Sequence, residues 1–134
     1  MAANEIVFIY FSRLGGRPWP HQKILLDADA KVIAELKHCK FGGHYKTGHN
    51  YPDSVFFVPD DTLLGDEASS LGIRSQSDFY GGIVPYPFVK TKAITHGLIG
   101  ADAQRPQGWS DAFTERVRQV VLQGYTIFSL ATHG

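Results

Sequence analysis

The chain has one cysteine, Cys39, so it cannot form an internal disulfide, and nothing in its composition points to an oxidising compartment. Neither sign of charge is in excess: 13 Lys and Arg balance 13 Asp and Glu, for a formal net charge of +0. The long-range attraction that draws basic proteins to nucleic acid or anionic membrane is therefore missing, and any anion must be bound locally. Long apolar runs are also missing. Ile6–Phe11 (IVFIYF) is far too short to span a bilayer. Glu5 precedes it where a signal peptide needs basic residues, and no small-residue cleavage site follows. These absences predict a cytoplasmic protein with neither nucleic acid nor membrane as partner. No serine sits in a nucleophile elbow, no CxxC pair exists, and no repeat, low-complexity tract or linker interrupts the chain, so no catalytic residue is assigned.

What is present suits a globular fold. With 134 residues, 43% hydrophobic and 19% charged, a single domain over 1–134 can bury roughly two-thirds of its unfolded surface. Ile6–Phe11, Val55–Val58 (VFFV) and Tyr125–Phe128 (YTIF) are predicted strands. None alternates apolar with polar, as expected of strands covered on both faces in a parallel α/β sheet. Gly81–Val84 is a further candidate, ended by Pro85.

Helical periodicity lies between these runs. A helix from about Gln22 to Cys39 would bury Leu25, Ala28, Val32 and Leu36. A second, from Asp61 or Thr62 to Leu71, would close at Gly72 in the left-handed conformation, with Ile73 as the apolar contact beyond. A short helix covers Thr91 to Ile99. A last one, capped by Ser110 or Asp111, carries Phe113, Val117, Val120 and Val121 and ends at Gly124. The order of elements predicts one three-layer α/β domain.

Charge is locally uneven. Residues 37–49 hold Lys37, His38, Lys40, His44, Lys46 and His49 with no acid among them. As a metal site, His38, Cys39, His44 and His49 have poor spacing, and the segment reads more simply as a solvated helix end and turn. As an anion-binding loop it would use Lys40, Lys46 and His44 to meet an anionic partner. GGHYKT (Gly42–Thr47) departs from a nucleotide loop because Tyr45 stands where a glycine must precede the lysine. Asp60-Asp61 could bind Mg²⁺, but an acidic pair before a helix is first of all a cap. In VKTKAITH (Val89–His96), Pro85 and Pro87 stiffen the approach, and Lys92 falls in the first turn of the expected helix. There it serves either as an anion contact or as an ordinary exposed lysine.

The strings FVPDDTL, LGIRS, GGIVPYPFVKTKAITH and GWSDAF, within Val32 to Ser129, resemble the N-terminal part of an uncharacterised bacterial family, a domain of unknown function whose full-length members look like ATP-grasp proteins. The resemblance implies a Rossmann-like, pre-ATP-grasp-like α/β lobe with a mostly parallel sheet. It also implies that Lys92, with Lys90 and Thr91 beside it, begins the nucleotide-binding region. Thr91 replaces the acid or amide usual before that lysine. By the same resemblance, ATP and Mg²⁺ belong to a full-length relative, whose second lysine and metal-binding acids lie beyond the last helix. The chain ends at Gly134. The expectation is therefore an N-terminal fragment, catalytically incomplete alone, whose other half is missing or supplied by another chain, with exposed apolar surface near Tyr125–Leu130. The alternative is a stand-alone α/β interaction module that binds an anionic partner through residues 37–49.

Overall fold

The computed structural model describes residues 4–129. They divide into two compact units, one up to residue 83 and the other from residue 84.

The first unit is built on a parallel sheet of order β2-β1-β3, from β1 (Glu5–Tyr10), β2 (Lys40–His44) and β3 (Ser54–Pro59). Expected strands Ile6–Phe11 and Val55–Val58 thus form as β1 and β3 and lie in register, Ile6 opposite Val55 and Ile9 opposite Val58. Alternation divides their side chains between two faces. Val7, Ile9, Phe56 and Val58 pack with Ala30 and Ala34 of α1 (Pro20–Leu36) on one face. On the other, Phe57 packs with Leu63, Ala68, Ile73 and Phe79. Both faces are covered, which is why neither run alternates in polarity: the first unit is an α/β fold with a parallel sheet.

α1 buries a different face from the expected one. Leu26, Ala30, Ile33 and Ala34 meet the sheet, whereas Leu25, Val32 and Leu36 are more than half exposed. The helix is apolar on two sides, and the small residues Ala30 and Ala34 allow closer approach to the strands. Pro20 starts it, and the side chain of Gln22 accepts from Trp19 N at 3.0 Å. It closes through His38, at φ 54, with Cys39 N donating to Ala34 O at 2.8 Å and His38 N to Glu35 O at 3.0 Å. The chain turns there into β2, so the helix stops short of Cys39.

β2 carries no apolar signature. Its register against β1 slips at Gly42, Val7 facing Phe41 and Phe8 facing Gly43. A side chain on Gly42 would strike Phe8 and Ile6. The outer edge of β3 is covered by Asp78–Tyr80, which exchanges backbone hydrogen bonds with Phe57 at 2.9 Å.

α2 (Gly65–Ser70) starts later than expected because Leu63–Leu64 form a short strand, β4, paired with β5 (Ile83–Val84), where the first unit ends. Its close follows the expectation: Gly72 sits at φ 78 and Ile73 N donates to Ala68 O at 3.0 Å.

The second unit has little regular structure. Of the expected helix Thr91–Ile99 only a single 3-10 turn forms, Lys92–Thr95, separated by extended Thr91 from another just before it, Pro87–Lys90. The last helix is α3 (Ala112–Val117), shorter than expected; Val120 and Leu122 beyond it are exposed. Tyr125–Phe128 is not a strand. Thr126 makes one isolated bridge to Leu98, and Tyr125, Ile127 and Phe128 are exposed; Leu130 lies outside the described residues. An apolar run becomes a strand only where a neighbouring strand offers a ladder, and here one bridge is the whole pairing among the described residues. Part-buried threonine bonds knit this unit instead: Thr114 Oγ1 donates to Ile94 O at 2.9 Å and Thr126 Oγ1 to Ala93 O at 2.8 Å.

Candidate functional site

In a parallel sheet of order β2-β1-β3 the chain leaves β1 toward one side and returns on the other, opening a crevice at the carboxyl ends of β1 and β3, the usual ligand position in such sheets. The loop after β1 runs Phe11-Ser12-Arg13-Leu14-Gly15-Gly16, and Arg13–Gly15 makes a 3-10 turn. Ser12 is buried, and its Oγ accepts from Gly15 N at 3.2 Å. The loop after β3 starts with Asp60 and Asp61. Asp60 does not cap α2; its Oδ1 accepts from Ser12 N at 2.7 Å and joins the two loops. Gly15 passes so close that a Cβ there would collide with the Asp60 carboxylate.

Between these loops and the start of α1 lies a groove of about 270 Å³, lined by Phe11, Gly15, Pro18, Gln22, Leu25, Leu26, Asp29, Asp60 and Asp61. Its apolar wall comes from Phe11, Pro18, Leu25 and Leu26, and its charged lining is acidic throughout. Such a groove accepts hydrogen bonds from hydroxyl or amino groups and offers no cation to a phosphate.

Behind the groove, Glu67 is 2% exposed. Its carboxylate accepts from Tyr10 Oη at 2.8 Å, Arg13 N at 3.0 Å and Leu64 N at 3.4 Å, with Arg13 Nε 3.7 Å away. Arg13 also pairs with Asp66 at 3.0 Å. Burial, then the bond to Glu67, pushes the Tyr10 phenol up to about 12. Buried and ion-paired, Glu67 braces the loop that forms the groove.

The basic segment does not converge. Lys40 opens β2 opposite Ile6 and His44 ends it opposite Ile9, so the strand holds them about 13 Å apart at ~3.3 Å per residue. Lys46 follows beyond, its backbone N bonded to Tyr51 Oη at 3.1 Å. His44 packs its ring edgewise on Phe11 at 5.0 Å. His44 and Lys46 thus stand at the carboxyl end of the sheet and Lys40 at the amino end. No group of three or more potential ligands that could hold a metal ion occurs among the described residues. Cys39 Sγ donates to Glu5 Oε2 at 3.4 Å and to Lys37 O at 3.3 Å, and burial, followed by the bond to Glu5, raises its thiol. It is a structural thiol at a helix end, not an activated nucleophile.

In the second unit, Lys90 ends the first 3-10 turn and Lys92 opens the next. Thr91 joins them, its Oγ1 donating to Phe88 O at 2.7 Å and accepting from Ala93 N at 3.2 Å. A single 3-10 turn has no extended dipole, so the backbone at Lys92 forms no α-helix mouth that would favour an anion.

Sequence reasoning assigned no role to Ser12, Gly15 or Glu67. The available signal was FSRLGG directly after a buried strand: a small residue and paired glycines where a first strand gives way to its crossover helix. No helix among the described residues is long and apolar enough to cross a membrane. No curated protein and no solved structure matches the chain. The family described as "Protein of unknown function (DUF3182)" matches residues 11–133, from the groove loop through the second unit, and the chain belongs to that family.

Proposed function

We propose that this chain is the N-terminal lobe of an ATP-grasp-like protein, and that its first unit holds the non-nucleotide substrate at the carboxyl ends of β1 and β3. The observation that carries the substrate half of this reading is the groove beside the Ser12–Asp60 bond, where the order of the parallel strands reverses. Its acidic and aliphatic lining suits a small hydroxyl- or amine-bearing molecule and disfavours phosphate. Nucleotide contact falls to Lys92, with Lys90 and Thr91 beside it, on the strength of the sequence resemblance. Phosphoryl chemistry belongs, on this reading, to a second lysine and Mg²⁺-binding acids outside the stretch that resembles the lobe, supplied by further chain or by another chain. The lobe alone binds without turning over.

Titration with mant-labelled ATP tests the nucleotide half. Binding that weakens about tenfold or more in Lys92→Ala is expected for a lost charge-assisted phosphate contact. Equal binding by the variant would remove the nucleotide role and, with it, the ATP-grasp reading.

A further inference from the structure

Asp78–Tyr80 covers the outer edge of β3 at Phe57 and no further toward the strand's start. Successive residues of a strand turn their backbone groups to opposite edges. Ser54 faces β1, its N donating to Asn4 O at 3.1 Å, so Val55 and Phe57 face outward. At Phe57 both groups are used: N donates to Asp78 O and O accepts from Tyr80 N, each at 2.9 Å. To continue this ladder, Asp78 N would have to donate to Val55 O. It donates instead to Ser75 O at 3.1 Å, in a turn that Asp78 Oδ2 holds by accepting from Arg74 N at 2.8 Å and Ser75 N at 3.2 Å. Among the described residues no backbone hydrogen bond reaches Val55 on its outer edge.

Val55 also lines a cavity of about 380 Å³ that shares no residue with the groove at the carboxyl ends of the strands. The chain after β2 lines it with Tyr45, His49 and Tyr51, whose rings follow one another at centroid distances of 5.3 and 5.9 Å, and the chain after α2 with Leu71 and Asp78. The volume suits a short stretch of chain rather than a folded surface. An unpaired N–H and C=O on one edge residue are what an extended peptide bonds when it adds to a sheet. Phe79 shows where the side chain of such a residue goes: opposite Phe57, it packs among Leu63, Ala68 and Ile73. A residue opposite Val55 would turn its side chain to the same face, where Tyr45 and Leu71 pack beside Val55, and an apolar one fits. Asp78 is the carboxylate of this lining, which holds no lysine or arginine among the described residues, so the charge it favours beside that residue is positive. We propose that the outer edge of β3 at Val55 is a docking site for an extended peptide that presents an apolar residue flanked by lysine or arginine, added in line with Asp78–Tyr80.

NMR titration of the ¹⁵N-labelled full chain with the peptide acetyl-Gly-Lys-Leu-Lys-Gly-amide tests the proposal. The Val55 amide signal should move, and its hydrogen exchange should slow about tenfold or more at saturating peptide. The same peptide N-methylated at every residue has no N–H to give Val55 O and should bind about tenfold more weakly. Replacing both lysines by glutamate should weaken binding by a similar factor, and Asp78→Asn, which keeps an acceptor for the turn, should erase that preference. Val55→Pro removes the outward N–H, on an edge where a strand tolerates proline, and should weaken binding about tenfold or more. A Val55 amide that the peptide leaves unmoved, or equal binding of the N-methylated peptide, overturns the proposal. So does a Val55 amide that already exchanges slowly in the free chain, because the chain itself would then cover the edge. Equal binding of the glutamate peptide overturns the charge preference.

Discussion

Tyr10, the last residue of β1, donates its phenol across 2.8 Å to the carboxylate of Glu67 on α2. Backbone amides of Arg13 and Leu64 complete that carboxylate's bonding. One buried charge thereby ties together the strand, the loop that follows it and the second helix. This support positions Ser12 and Gly15 against Asp60 at the groove.

Replacing Glu67 by Gln keeps the shape but turns an amide donor toward donors. Urea unfolding should show a loss of about 1–3 kcal/mol, the cost of unsatisfied buried polar groups. Tyr10→Phe, which removes one neutral donor, should cost about 1 kcal/mol. An E67Q variant as stable as the native chain would mean that the carboxylate is not a brace.

The Tyr10 phenol also makes stability depend on pH at the alkaline end. Its folded value stands at about 12 against 10.0 for an ordinary tyrosine. Between these values the unfolded chain has released a proton that the folded chain keeps. The contribution is therefore fully present below pH 10 and is lost as pH rises through 12. Absorbance titration of tyrosinate should show one late-ionising phenol that disappears in Tyr10→Phe. A late phenol that survives the substitution would assign it to another residue.

At the groove, Gly15→Ala forces a methyl group into the space of the Asp60 carboxylate. The expected cost is about 1–3 kcal/mol, typical of an overpacked site. In an Asp60→Ala background the same change should cost little, because the colliding group is gone. A double-mutant cycle reads the difference, and additive effects would disprove the contact.

His38 closes α1 at φ 54, a left-handed conformation that a side chain resists. His38→Gly relieves that strain at the expense of a more flexible unfolded chain. The balance should stabilise the protein by up to about 1 kcal/mol in thermal or urea unfolding. A destabilised variant would show that the imidazole makes a compensating contact.

The two helix closures show what a reader of the sequence could and could not find. At Gly72 the left-handed residue is a glycine, followed by the apolar Ile73, so the closure of α2 is written locally. α1 ends in the same hydrogen-bond pattern through His38, where no residue type announces it. That hidden closure releases Lys40–His44 into β2, a strand whose two glycines conceal it. The basic segment 37–49 consequently looks like one loop, while the fold places Lys40 and His44 at opposite ends of a strand. The groove was half legible: the Asp60-Asp61 pair is conspicuous, but its partner Ser12 lies 48 positions away.

Segments whose state depends on near neighbours were readable from residue order alone: the apolar runs of β1 and β3, the glycine close of α2, and the neutral charge balance. Which strand lies beside β1, which of two apolar faces α1 turns to the sheet, and whether Tyr125–Phe128 finds a ladder were decided by contacts between distant parts of the chain. Propensity and capping act over a few residues, whereas strand pairing and close packing depend on the shape of a partner that folds from elsewhere in the sequence.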